Sequence, residues 1–441
     1  MKIVLLKTVE NVIVKVIFAT IFLQQVLVLN VGGSFKIYEF AAMALLFLSL
    51  VQGPKIYGKS SILFFLLFVV VPVVSLFVYF VSIDVEGYFE RFPEADENLR
   101  FNYNIIPLVV LIYYIINWVV INHIFGSLWV FKNRVRLVRI FVLSGTLISF
   151  YSLYGLFFVY LLGFPDVVPD FFDFRNSRPD FQMRPAGFSA EPSSYVIMLT
   201  WVLLFLIFIK DVYSAKLRYL LIAVNGSVFF LTLSSSILAV VVSFVLYLVL
   251  SRGLVAKIKY TFVFLFISMI MLPILNEVAG SDFVLYTFRD KIVELFQYPT
   301  TLETSGQFRS YTSVLGLLVF KDYPFFGVGG GNSYYFLHAY ESLLQIAHYN
   351  FSLTHSVAPM NGYSKVLSEL GIFGFLMLIA ALSHSLYVFY KNRHLGQFFA
   401  VGFVGTLSTF GFLFAVYPIY SLFLWVCIAL CLNSGRFVSL K

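Results

Sequence analysis

Long apolar runs recur along this chain, and they limit its fold more than any other feature. Stretches such as "SILFFLLFVVVPVVSLFVYFVS" (61–82) contain no charged residue. An apolar run of about 18 residues or more, wound as a helix, crosses a hydrocarbon core roughly 30 Å thick. The 441-residue chain is 60% hydrophobic and only 12% charged, too little charge to coat a soluble protein of that size. The runs are continuous rather than alternating, which argues against a β-barrel. The fold class that follows is an all-α, polytopic integral membrane protein.

About 12 transmembrane helices are expected, over 11–30, 38–52, 61–83, 105–125, 139–164, 191–210, 218–234, 236–251, 259–279, 366–390, 396–415 and 417–434. The second and eighth are short, and the split at Ser234-Ser235-Ser236 separates the seventh from the eighth. The first run has no small-residue cleavage site after it and reads as a retained span. Three blocks follow. Residues 1–279 hold helices 1–9 with outer loops 84–104 and 165–190, residues 280–365 form a long outer loop with short helices, and residues 366–441 hold helices 10–12.

Charge sets the orientation. With both termini in the cytoplasm, the inner segments collect Lys55 and Lys59, the Lys132-Arg134-Arg136-Arg139 run, Lys210, Lys216 and Arg218, and Lys391 and Arg393. Their only acids are Glu10 and Asp211, while the outer loops are acidic, most of all 84–104. This is the positive-inside pattern. The net charge of +8 therefore reports topology and calls for no nucleic-acid partner. Cys427 and Cys431 lie four apart in the last run, a spacing that matches no disulfide framework or metal pattern.

Within the spans the polar residues are uncharged: Gln24, Gln25, Asn117 and Asn225. Ion-coupled transporters keep ionisable groups or broken helices near mid-membrane. Here such groups gather at helix ends and in outer loops, which favours chemistry at the membrane face. The first cluster is "RPAGFSAEPSSYVIML" (184–199). Pro192 suits a first helical turn, with Ser189 as N-cap before it. Glu191 either satisfies that helix end or serves a site. Arg184 either anchors to lipid phosphate or binds substrate, and Gly187 lets the backbone bend between them.

The second cluster is "GQFRSYTSVLGLLVFKDYPFFGVGGGNSYY" (306–335). Arg309 leads an amphipathic helix whose apolar side is read as Val314, Leu317, Leu318 and Phe320, lying at the interface or on the bundle. The glycines after Pro324, including Gly327 and Gly329, suit a backbone cradle for an anion. No strand precedes them and no P-loop Lys-Ser/Thr follows, so nucleotide binding is rejected. The third cluster, "THSVAPMNGYSKVLSELGIFGF" (354–375), holds His355, Asn361 and Glu369, the last about one turn inside an apolar run.

Together these segments resemble the O-antigen polymerase (Wzy-type) members of the O-antigen polymerase/ligase family. The pattern is R-x-x-G-x-x-x-E-P-S, then R…P-x-x-G-x-G, then a histidine followed by E-x-G-x-x-G. The family often has Asn directly after the histidine; here it is Ser356, with Asn361 five residues on. The resemblance implies a GT-C-like fold at the bacterial inner membrane with a periplasmic active site. It also implies glycan transfer from undecaprenyl pyrophosphate to the non-reducing sugar of another lipid-linked repeat unit. No cofactor, metal or nucleotide sugar is implied, and the expected partners are those lipid-linked glycans, membrane lipids, a chain-length co-polymerase and a flippase.

For such a transfer, Arg184 and Arg309 suit the pyrophosphate, because guanidinium groups bind phosphate oxygens bidentately. Gly187, Gly327, Gly329, Asn361 and Glu369 join them as substrate-binding candidates. His355 or Glu191 suits the base that the acceptor hydroxyl needs, with His355 preferred and Glu191 orienting Arg184 or the acceptor. An O-antigen ligase, which passes the glycan to lipid A core, is the nearest alternative. The E-P-S segment and the lack of a second long basic loop favour polymerase. A lipid-linked-oligosaccharide flippase is the alternative from another class.

Overall fold

The structure, a computed structural model, describes residues 2–23, 29–30, 34–53, 55–85, 87, 90, 105–163, 192–232, 234, 236–251, 305–341, 359–415 and 422–438. Apart from one two-residue antiparallel pair, its regular elements are helices. They are α1 (Lys2–Thr20), α2 (Ile37–Gln52), α3 (Gly58–Ser82), α4 (Ile106–Gly126), α5 (Leu128–Tyr154), α6 (Pro192–Phe208), α7 (Ala215–Leu231), α8 (Ser236–Ser251), α9 (Ser305–Asp322), α10 (Ser333–Glu341), α11 (Gly362–Lys391), α12 (Gln397–Ala415) and α13 (Leu422–Val438). A π-helical turn at Leu66–Val70 interrupts α3, and another, Gly155–Leu161, continues α5.

Among the described residues, five helices are long and apolar enough to cross a membrane: α3, α4, α5 with its extension, α11 and α12. Ile37–Gln52, Ser193–Phe208, Ser236–Leu250 and Leu422–Ser434 are shorter apolar helices. The expected ninth span, 259–279, lies outside the described residues, as does loop 165–190. The serine break is present: α7 ends at Leu231, and Ser234 accepts from the Ser236 and Ile237 amides as α8 begins.

Two boundaries differ from the sequence reading. The first run is helical only to Thr20, and Leu29–Asn30 pairs with Ser34–Phe35 instead. Short apolar stretches suit helix and strand alike, so hydrophobicity alone does not separate them. The basic stretch before the fifth span is helix rather than loop. Ser127 caps α5 by accepting from the Val130 N–H at 3.3 Å. Arg139 then donates to the Val212 carbonyl at 2.5 Å and to the Asp211 carbonyl at 3.0 Å, so charge that would suit a loop ties two elements together.

Helix α13 sits at the centre and packs against α4, α5, α11 and α12. Leu422 through Leu432 are all buried, so this helix is apolar all round, as a fully enclosed helix must be. Trp425 wedges edge-on between Phe64 and Phe68 of α3, with ring centroids at 5.9 and 5.0 Å. Both cysteines are buried on this helix. A second, smaller core joins α9 and α10 to one end of α3 through Tyr79, Tyr311, Leu315, Val319, Val328 and Phe336.

Candidate active site

The candidate site is built where α6, α9 and α11 begin. Pro192 is the first residue of α6, where its missing N–H costs nothing. Ser193, next in line, is buried, and its hydroxyl accepts from Arg309 Nη2 at 3.4 Å. That contact is longer than the usual N–H···O range of about 2.7–3.2 Å, yet it ties the Arg309 helix to the E-P-S segment across 116 residues of sequence.

The same stretch of α9 holds the third segment. Thr312, fully buried, donates to the Arg309 carbonyl at 3.2 Å and accepts from the Met360 N–H at 3.3 Å. One residue on, the Ser313 carbonyl accepts from the Ser364 hydroxyl at 2.6 Å. A Cβ on Gly316 would come within 2.4 Å of Ser364 Oγ and 2.8 Å of Pro359 Cγ, so the two helices touch there. Asn361 caps α11: its Oδ1 accepts from the Tyr363 and Ser364 amides at 2.9 and 3.3 Å. The buried face of α9 therefore runs through Tyr311, Thr312, Leu315, Gly316 and Val319. Leu317, read from sequence as part of the apolar side, is 46% exposed. Small polar residues take the inner face because they let α11 approach closely.

Beyond Asp322 the chain turns through Pro324 into the glycines and locks into a break in α11. At Gly371 the backbone leaves the helix, with φ 64° and ψ −164°. The carbonyls of Ser368 and Glu369 then accept from the Val328 and Gly329 amides at 2.9 and 3.0 Å. The Ile372 N–H donates to the Pro324 carbonyl at 2.8 Å. A Cβ on Gly371 would sit 2.2 Å from the Phe325 carbonyl oxygen, and one on Gly327 would sit 2.4 Å from the Glu369 carbonyl carbon. Both also have positive φ, so glycine is required twice over. Ser75 of α3 adds donation to the Phe326 and Glu369 carbonyls at 2.7 and 3.0 Å.

One amide of the glycine segment, that of Gly331, donates to a carboxyl group of the chain itself. Glu369, 1% exposed, accepts from the Ser333 hydroxyl at 2.8 Å and from the Gly331 N–H, with Lys365 Nζ at 3.6 Å. Lys365 is buried too. A carboxylate enclosed this way needs both its cation and its donors, since a buried charge without them is strongly destabilising. At the rim, burial and the neighbouring Asp322 push the Tyr323 hydroxyl above its ordinary range.

Of the residues singled out from sequence, Arg309, Gly327, Gly329, Asn361 and Glu369 are described. Arg184, Gly187, Glu191 and His355 lie outside the described residues. Two of those four are near in sequence to anchored positions: Glu191 precedes Pro192, and His355 is five residues before Met360. Sequence reasoning passed over Ser193, Thr312, Ser333, Lys365 and Ser75. Lys365 carried a signal, since lysine and glutamate four apart on a helix are neighbours. Ser193 stood inside the quoted E-P-S segment. Ser75 and Ser333 carried none, because their partners are distant in sequence.

Residues 219–379 match a family model described as O-antigen ligase. The matched region contains Arg309, the glycine segment, His355, Asn361 and Glu369, and it agrees with the resemblance to the O-antigen polymerase/ligase family. No curated protein matches the chain.

Proposed function

We propose that this protein is a membrane glycosyltransferase that polymerises lipid-linked oligosaccharide repeat units at the periplasmic face of the bacterial inner membrane. The growing glycan would leave undecaprenyl pyrophosphate and join the non-reducing sugar of another lipid-linked unit. The observation that carries this reading is the Arg309–Ser193 contact, with Met360 and Ser364 held on the next turn of α9. Three segments that resemble one enzyme family by sequence are thereby anchored to one another.

In the reaction the acceptor hydroxyl oxygen attacks the anomeric carbon, and the bond from that carbon to the pyrophosphate oxygen breaks. Negative charge grows on the leaving oxygen. Arg309, half-buried, and Arg184 supply guanidinium donors to it, worth most where water is scarce. His355 takes the hydroxyl proton, with Glu191 orienting Arg184 or the acceptor sugar. We place Gly327, Gly329, Glu369 and Asn361 behind the site. Their hydrogen bonds tie the segment after α9, and α10, to α11 and cap the start of α11. We take the whole chain to be a GT-C-like bundle of about 12 spans with both termini cytoplasmic, the orientation that its charge pattern favours.

A ligase reading is favoured by the description of the matching family model. Incubating purified protein with lipid-linked repeat units alone separates the two. Ladder formation without lipid A core supports polymerase, and product only with core supports ligase. Replacing Arg184 and Arg309 by Ala should abolish chain growth while leaving repeat-unit export intact. Export failing first would favour a flippase.

A further inference from the structure

Helix α4 connects two distant places. Near its start, Ile106 and Val110 stand within 3 Å of where a Cβ on Gly331 would be. Near its end, Asn122, His123 and Gly126 line a cavity of about 540 Å³. From Val110 to Gly126 the helix rises about 24 Å at 1.5 Å per residue, so the cavity lies at the opposite end of the bundle from the candidate active site. A cavity of this size is large enough for a small-molecule ligand.

Three lysines from separate elements converge on it: Lys7 of α1, Lys55 between α2 and α3, and Lys132 of α5. All three are exposed and make no ion pair among the described residues. The one acid lining the cavity, Glu10, already accepts from Gln52. Lys15, by contrast, is engaged over the Trp129 ring at 5.5 Å. Trp118 also lines the cavity, and its indole N–H is buried with no hydrogen-bond partner among the described residues. The walls thus present three cationic donors, which suit phosphate oxygens. Apolar surface adjoins them. Leu128 lines the cavity at 50% exposure, and Leu50 and Val51, beside Gln52, are 64% and 76% exposed.

We propose that this cavity binds the phosphate headgroup of an anionic phospholipid, with the acyl chains lying on the exposed leucine and valine surface. Basic pockets between membrane helices bind anionic headgroups in this way. A free phosphate would use the lysines and leave the apolar rim without a role. The inference is independent of the glycan chemistry proposed above.

The test uses the full chain purified in non-ionic detergent, with thermal stability measured against added phosphatidylglycerol, phosphatidylcholine or inorganic phosphate. Phosphatidylglycerol alone should raise the melting temperature, by a few degrees near saturation. The variant Lys7→Gln/Lys55→Gln/Lys132→Gln should lose most of that rise. A control of equal charge, Lys59→Gln/Lys210→Gln/Lys216→Gln, should keep it. Equal loss in both variants, or an equal rise with phosphatidylcholine, would overturn the site. A rise with inorganic phosphate that the first variant abolishes would overturn the lipid assignment. Should the triple variant fail to fold, native mass spectrometry of the three single variants decides. Fewer retained phosphatidylglycerol molecules in at least two supports the site, and no change in any of them sinks it.

Discussion

Where α4 starts, it meets a glycine segment beside which Lys365 and Glu369 are shut away together. Where it ends, it lines a cavity around which Lys7, Lys55 and Lys132 stand exposed. The first end uses its charges on itself: Glu369 takes Lys365, Ser333 and the Gly331 amide. The second end leaves lysines facing a space large enough for a ligand. Burial makes the difference. A charge deep in the bundle has to be paired within the fold, whereas one at a rim is hydrated until something binds. Arg309 stands between these cases, half-buried and bonded to a neutral serine.

The sharpest break of this contrast is Lys365→Met, which strands Glu369 in the interior. It should cost about 3–5 kcal/mol of stability, measured as a lower yield of folded, monodisperse protein in detergent. The double variant Lys365→Met/Glu369→Leu should recover much of the loss. Recovery failing would mean that the pair does more than balance itself.

Arg309→Ala comes next, and it should act on activity far more than on folding. Loss of one donor to a developing oxyanion costs about 10²–10³-fold in turnover, read from the rate of ladder formation. Arg309→Lys should restore only part, because an ammonium lacks the bidentate fork. Normal turnover in Arg309→Ala would remove Arg309 from the site. Ser193→Ala deletes the hydroxyl that accepts from Arg309 and should cost about 0.5–1.5 kcal/mol. Its effect on turnover should vanish in the Arg309→Ala background, and full additivity would show that Ser193 does not act through Arg309.

The smallest effect belongs to the far end. Lys132→Gln, in lipid-free detergent, should change stability by no more than about 0.5 kcal/mol. A larger loss in thermal unfolding would mean that the lysine already has a structural partner.

Much of the architecture was legible from residue order alone. The apolar runs marked the helices, Pro192 marked the start of α6, and the three serines marked the break before α8. The basic run 132–139 was misread as loop because charge reports membrane side and does not distinguish a loop from a helix that projects beyond the apolar layer. The sequence left open which side of α9 a neighbouring helix would occupy, and Gly316 and Thr312 decided that.

The sequence by itself determined that the chain is a helical membrane protein, and it marked the segments that resemble a glycan polymerase or ligase. Those properties follow from local composition and spacing, which each run carries alone. Only the tertiary structure decided which marked residues serve the fold. It gave Glu369 to the glycine segment, Asn361 to a helix cap, and Arg309 to the E-P-S segment through Ser193. It also gathered three lysines, scattered from Lys7 to Lys132, around one cavity. Such assignments depend on which distant groups meet, and in a bundle the packing of helix faces fixes that, beyond the reach of any single segment.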